Sequence, residues 1–246
     1  MRKAAVVLLL ALLAGACSSP PPPPPAYTDA RELADAATAA TTSGGSAKFT
    51  TDVAVGTIRS KGQGQARFGA GGTAQVMTTD VLGEPMELRL VAGKLYAKVP
   101  ESAREGKPWV AVAADGSDPF SQVLGGSLAQ LAAQNDPAHT LGEIRTAGTI
   151  VSAERTNLGG VAAEHYRVEL EPARLGTDLP AGLAPDSAGR LGKFPVELWL
   201  DDAHRPLQIV LDLSPVLQGS AARITTRYTE WGSPVDVQPP PPGEVG

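Results

Sequence analysis

The feature that most constrains this chain is an alternation of apolar and polar side chains at every second residue, repeated in segment after segment. Successive side chains of an extended strand point to opposite faces, so this pattern builds sheet with one buried face. It is cleanest late in the chain, where Val196, Leu198 and Leu200 lead through Asp201-Asp202-Ala203-His204-Arg205-Pro206 to Leu207, Ile209, Leu211 and Leu213. A closing strand carries Ala222, Ile224, Thr226 and Tyr228. Upstream, Thr149 to Thr156, the turn Asn157-Leu158-Gly159-Gly160 and Val161 to Leu170 read as a hairpin with Tyr166, Val168 and Leu170 on one face. His165, Arg167 and Glu169 fall on its other face.

The first half of the chain reads as a meander of five strands. Phe49, Thr51, Val53 and Val55 alternate with Lys48, Thr50, Asp52 and Ala54. Residues 60–70 form a glycine-loosened strand, 73–80 another that includes Val76, and 84–91 a third with Met86, Leu88 and Leu90 opposite Glu87 and Arg89. The tight turn Ala92-Gly93-Lys94 leads into Leu95, Ala97 and Val99. Gly62, Gly64, Gly69, Gly71 and Gly72 let these strands bend.

Three stretches switch to helical period. Thr28 to Thr41 has Asp29 and Glu32 where an N-cap and its third-position partner belong, an alanine interior with Leu33 as its single large apolar group, and Gly44-Gly45 as a stop. A helix so poor in bulk is expected to cover a surface and add little core. Asp118-Pro119 starts a second helix, amphipathic through Phe120, Val123, Leu124, Leu128 and Leu131 to about Ala133, and a third runs from Pro137 to Arg145. Residues 171–192, with scattered leucines among Pro and Gly, read as a long irregular segment of the kind that acts as a lid.

The ends of the chain place it in the cell. Met1-Arg2-Lys3 is a positive start and residues 4–16 are without a polar side chain, which is signal-peptide length and short of the roughly 20 residues that span a bilayer. Leu13-Ala14-Gly15-Ala16-Cys17 reads as a bacterial lipobox, although its leucine stands one step earlier than usual and Ala14 fills the place. Cys17 is the one cysteine, and a thiol there can become a diacylglyceryl thioether. Two acyl chains suffice for stable anchoring where one holds only marginally. Pro20 to Pro25 then form a polyproline stalk.

The expected organisation is a signal peptide over 1–16, acylated Cys17 with its stalk to 27, one domain over 28–237 and a disordered proline-rich tail over 238–246. The chain is therefore expected at the extracytoplasmic face of the cell membrane, lipid-anchored and without an internal disulfide. Its formal charge is −5, and losing Arg2 and Lys3 takes it to −7, which argues against nucleic acid as a partner.

Chemistry-bearing motifs are weak, and the chain reads as a non-enzyme without metal or cofactor. Gly125-Gly126-Ser127-Leu128-Ala129 resembles a nucleophile elbow, but Ser127 lies in a helical pattern where an elbow needs a preceding strand. His139, His165 and His204 are dispersed, and Asp201-Asp202 is a hairpin-turn pair. Gly62-x-Gly64 lacks the third glycine and the helix of a dinucleotide loop. Arg59, Lys61, Arg67, Arg104 and Lys107 are charges at strand ends, solvated or able to meet a phosphorylated head group.

The order of elements carries a resemblance. The lipobox, the first helix, a meander with "VAGKLYAKV", a leucine-rich central helix, "NLGGVAAEHYRVEL", "PVELWLDDAHRPLQIVLDL" and "TTRYTEWGSPVDV" together resemble the LppX/LprG family of actinobacterial envelope lipoproteins over residues 28–237. The alanine-, glycine- and arginine-rich composition points to the same kind of genome. The resemblance implies an α+β fold similar to LolA and LolB: a strongly curved antiparallel sheet, a half-barrel of about ten strands, with helices covering the concave face. It implies an apolar cavity that takes the acyl chains of an envelope lipid or glycolipid, carried across the envelope with a possible lipid transporter as partner. The lining residues on that view are Phe49, Val53, Val76, Met86, Leu88, Leu90, Leu124, Leu128, Leu131, Tyr166, Val168, Leu198, Ile209 and Leu211. Periodicity alone leaves a second use of the same residues open. An ordinary packed core would bury them equally well, in a sensor or protein-interaction lipoprotein without cargo.

Overall fold

The computed structural model describes residues 26–81, 84–99, 106–112, 122, 126–176, 179, 189–217 and 221–246. Among these residues eleven strands form one open antiparallel sheet: β1 Ser46–Val55, β2 Ile58–Arg67, β3 Ala74–Val81, β4 Glu84–Val91, β5 Lys94–Lys98, β6 Trp109–Val112, β7 Gly148–Leu158, β8 Val161–Leu170, β9 Phe194–Leu200, β10 Pro206–Asp212 and β11 Ala222–Thr229. Their order is β6-β5-β4-β3-β2-β1-β11-β10-β9-β8-β7. Two meanders thus grow outward from a central β1–β11 pair, in which Phe49 faces Tyr228 and Val53 faces Ile224. The sheet is curved, the architecture is α+β, and helices occupy its concave side.

The five-strand opening meander is in fact six strands. β6 carries Trp109-Val110-Ala111-Val112, four residues with Trp109 and Val110 both buried although they point to opposite faces. A strand so short and buried on both sides shows no alternation, so the pattern that finds the others passes it over.

Helix α1, Ala30–Gly44, starts at Asp29, whose carboxylate accepts the backbone N–H groups of Arg31 (2.8 Å) and Glu32 (3.0 Å). Those are two of the donors that a helix start leaves without an intrahelical partner. It ends at Gly45, where φ of +73° suits a residue without Cβ. Contrary to the expectation of a thin cover, Leu33, Ala34 and Ala37 are fully enclosed in the core. Small side chains let the α1 backbone come close to α3, so alanines contribute here by proximity. Helix α2, Gly126–Gln134, is the described part of the central helix; residues 113–121 and 123–125, including Leu124, lie outside the described residues. Helix α3, Pro137–Ala147, is capped by Asp136.

Of the irregular segment, Pro172–Arg174 forms a 3-10 turn, and Leu175 and Leu179 are buried in the core. Residues 177–178 and 180–188 are outside the described residues. In the late hairpin, a register shift between Pro206 and Gln208 leaves Leu207 half-buried rather than aligned with Ile209 and Leu211.

The C-terminal segment departs from the disordered tail expected over 238–246. Gly232 donates its N–H to Ser46 O at 2.8 Å, Gln65 Nε2 donates to Asp236 O at 2.7 Å, and Arg89 Nη1 donates to Gln238 O at 3.3 Å. Gln65 and Arg89 project from the convex face, so the segment crosses the back of β1, β2 and β4. Val237 is buried there. Val245 then bridges Trp109, and the Gly246 N–H donates to Trp109 O at 3.0 Å. The prolines cannot donate to a ladder, but they lay an extended strap that covers the edge strand, which would otherwise offer unpaired backbone groups.

Candidate functional site

Register decides which residues face the helices. Phe49 pairs with Gly64, Gly64 with Met77, and Met77 with Leu88, which places Phe49, Met77 and Leu88 in one inward row. Gln75, Thr79, Met86, Leu90, Leu95, Ala97, Val110 and Val112 follow on the same face. Val76 pairs with Gln65 and Arg89 and therefore faces outward, so its assignment to the lining is corrected. In 74–80 the apolar alternation is broken by Gln75 and Thr79, and the inward row mixes polar with apolar side chains. Either parity of that strand satisfies the sequence pattern.

The polar inward residues have a partner in the loop between α2 and α3. Asn135, with no exposed surface, accepts a hydrogen bond from the Thr51 hydroxyl and donates Nδ2 to Met77 Sδ at 3.2 Å. Its carbonyl accepts the Tyr228 hydroxyl at 3.2 Å, and Gln75 Nε2 donates to Ala132 O at 2.6 Å. Full burial pushes the Tyr228 phenol well above its usual pKa. This cluster pins the end of α2 to the middle of the sheet, because buried polar groups are costly unless paired. Sequence reasoning missed it; Thr51, Gln75, Thr79 and Thr226 at otherwise apolar parity are its trace.

On the β7–β11 side the concavity is filled by the protein's own residues. Tyr166, Val168, Leu198, Ile209 and Leu211 sit in one buried cluster with Leu33, Leu141, Ile144 and Phe194. Leu128 and Phe49 belong to the same cluster, Met86 packs against it, and Val53 is half-buried on the inward face. The side chain of Leu131 is outside the described residues.

At the other end, space remains. A cavity of about 810 Å³ lies between β4–β6 and helices α2 and α3. Its walls are Leu90, Leu95, Ala111 and Val112 from the sheet and Ala129, Ala132 and Ala133 from α2, with Lys94, Asp136 and His139 making a polar border beside Gly93 and Ala138. Its size falls within the roughly 300–1,000 Å³ of small-molecule sites. Of the sequence-derived lining residues whose side chains are described, Leu90 is the one that lines this cavity. The alanines of α2 and the short β6 create it by being small, which apolar periodicity does not reveal.

Electrostatics at the border are mixed. Burial raises the Asp136 carboxyl above its ordinary value, opposed by hydrogen bonds from the Thr73 side chain and the Ala138 N–H and by the nearby His139. His139 Nε2 lies 3.5 Å from the buried carboxylate of Glu143. Other polar groups singled out in the sequence have structural roles. Asp201 accepts the N–H groups of Ala203 (2.9 Å) and Arg205 (2.8 Å) and pairs with the Arg205 guanidinium, as a turn residue does. His165 stacks on Trp199 at 4.0 Å between Glu154 and Glu197 on the convex face. Ser127 is the second residue of α2. Arg59 donates to the Gly56 and Ile58 carbonyls of its own turn, and Lys61 lies 4.0 Å from Asp52. Among the described residues no group of three or more His, Cys, Asp or Glu is placed to hold a metal, and no helix is long and apolar enough to cross a membrane.

An open, curved antiparallel sheet with helices inside it and a pocket at one end defines a half-barrel of the LppX/LprG type. This is the fold of LprF from Mycobacterium bovis, with a TM-score of 0.50 and 16% identity over 86% of this chain and 96% of that one. It is also the fold of the lipoprotein LppX from Mycobacterium tuberculosis, with a TM-score of 0.52 and 15% identity over 85% and 98% of the two chains. No protein-family model matches the sequence, and no curated protein matches it. The likeness is thus one of fold, and at that level it agrees with the resemblance read from the order of motifs.

Proposed function

We propose that this is an envelope lipoprotein, anchored to the extracytoplasmic face of the cell membrane through Cys17, that binds acyl chains of a lipid or glycolipid and carries it across the envelope. The observation that carries the reading is the cavity of about 810 Å³, apolar inside and polar at its border, within the fold of a mycobacterial lipoprotein. An amphiphile fits that division. Its chains would bury against Leu90, Leu95, Val112 and the α2 alanines, with its head group beside Lys94, Asp136 and His139. Each buried methylene is worth about 0.8 kcal/mol, so ten of them supply about 8 kcal/mol from which the cost of association is subtracted, making micromolar an upper bound on the affinity of one such chain. Affinity of this origin is indifferent to chain identity, which suits a carrier, and a membrane transporter could load it.

The filled β7–β11 half favours a second reading, an envelope sensor or interaction lipoprotein whose core needs no cargo. One experiment separates the two. Residues 26–246, expressed without the anchor, are extracted with organic solvent and the extract is analysed by mass spectrometry. The carrier yields near-stoichiometric lipid, and Ala129→Trp, which places an indole in the cavity, abolishes the yield while leaving the melting temperature within a few degrees. A stable fold with no lipid in either protein refutes the carrier.

A further inference from the structure

We propose that the cavity mouth faces the bilayer that holds the anchor, so that the rim formed by the β2–β3, β4–β5, β7–β8 and β9–β10 turns is a membrane-facing surface. The inference rests on the reading of Cys17 as a lipid anchor and of the cavity as the lipid site, and it adds where the lipid enters.

Strand direction carries the argument. In an all-antiparallel sheet the turns divide between two rims. Ser46 pairs with Arg67 and Val55 with Ile58, so the β1–β2 turn is at one rim, while the start of β1 and the β2–β3 turn are at the other. Following the register through Val91–Lys94, Leu158–Val161 and Leu200–Pro206 places Ala92-Gly93, Gly159-Gly160 and Asp201 to Arg205 at that second rim as well. The cavity belongs to it. Leu90 is next to last in β4, Leu95 is second in β5 and Val112 ends β6, while Gly93 and Lys94 are at the turn itself.

The tether joins at the same rim. The Tyr27 N–H donates to the Tyr166 hydroxyl at 3.1 Å, and its ring meets His204 of the β9–β10 turn edge-on at 5.4 Å. Ten residue steps separate Tyr27 from Cys17, a reach of at most roughly 33–36 Å. The ten residues of β1 separate the two rims by roughly 30 Å, at about 3.3 Å each. Turning the opposite rim to the membrane would consume nearly all of that reach in passing along the side of the domain. With the cavity rim down, none of it is needed. A lipid then passes from its leaflet into the cavity without crossing the width of the domain through water, and Lys94, Asp136 and His139 stand at head-group level.

The test uses the full acylated lipoprotein in phosphatidylcholine–phosphatidylglycerol vesicles that carry a fluorescent acceptor on a few head groups. Lys94→Cys, at the cavity mouth, and Ile58→Cys, exposed at the opposite rim, each take a donor dye, since acylated Cys17 cannot. Energy transfer to the membrane is expected to be several-fold greater from position 94. Equal transfer, or stronger transfer from position 58, overturns the inference, as does protein that fails to float with the vesicles. Lipid extracted from the unlabelled protein is a separate readout, so an empty cavity refutes the carrier without obscuring which rim lies down.

Discussion

Gly64 is where the curvature of the sheet can be tested by one methyl group. A Cβ built on it would lie 2.4 Å from Val76 O, 2.6 Å from Phe49 Cζ and 2.9 Å from Met77 Cβ. Two of these neighbours are main chain or next to it, and the third is a ring buried to 2% exposure, so none is a flexible tip that can swing aside. The absent side chain lets Phe49 lie across β2, filling the bend where the sheet closes on its helices. Gly64→Ala must therefore spread β2 from β3 or displace the ring. Overpacking of this kind costs about 1–3 kcal/mol, and the contact with a backbone oxygen argues for the upper part of that range. The stiffer unfolded chain offsets about 0.4–1 kcal/mol, leaving a net loss of about 2 kcal/mol. For a domain of this size that lowers the melting temperature by about 4–8 °C.

Two neighbouring glycines calibrate the result. At Gly62 the tightest contact is Met77 Cε at 3.1 Å, the end of a flexible side chain, so Gly62→Ala should cost less than about 1 kcal/mol. At Gly69 nothing lies within 4 Å, and alanine should be neutral or slightly stabilising. Thermal unfolding followed by circular dichroism ranks the three. A Gly64→Ala protein melting with the Gly69→Ala protein would refute the packing argument.

Asp136→Asn keeps a capping side chain of similar quality and removes a carboxyl whose pKa burial raises from 3.8. Below that ordinary value both folded and unfolded wild type are protonated there; as pH rises, the unfolded state ionises first and the wild type loses stability until the folded carboxyl ionises too. The variant's melting temperature relative to wild type should therefore be higher at pH 7 than at pH 3.5, and a flat difference across that range would contradict the burial. Tyr228→Phe leaves the buried Asn135 carbonyl without its hydroxyl donor and should cost about 1–3 kcal/mol in chemical denaturation. Ending the chain after Gln238 removes the Val245 bridge and the Gly246 hydrogen bond from Trp109. It should cost about 1 kcal/mol and shift tryptophan emission to the red, a shift lost when Trp109 is also replaced by Phe.

Much of the sheet is legible in the sequence. β8, β9 and β11 lie close to their expected bounds because one face meets core and the other meets water, which writes the strand period directly into residues such as Tyr166, Val168 and Leu170. The cap of α1 is legible for a local reason, since Asp29 bonds backbone groups two and three residues away, whereas the Asp136 cap of α3 emerges from the structure. Where both faces are covered, as at Trp109 and Val110, the period vanishes and β6 goes unseen.

The site was less legible. One-face apolar residues mark the whole concave surface, and nothing local distinguishes those that meet another side chain from those that meet a void. Leu198 and Leu90 have the same pattern, yet Leu198 is enclosed by the core while Leu90 borders the cavity. The difference is made by what lies opposite, an alanine-rich stretch of α2 for one and the packed β7–β11 core for the other.

The amino-acid sequence by itself determined the period of most strands, the starts of α1 and α3 and the thiol at position 17, each of which depends on residues within a turn or two of one another. Only the tertiary structure decided the parity of β3, the course of the last nine residues across the convex face, and the end of the sheet at which space is left. Those outcomes depend on pairings between residues far apart in the chain, where register and volume rather than residue type determine which atoms meet.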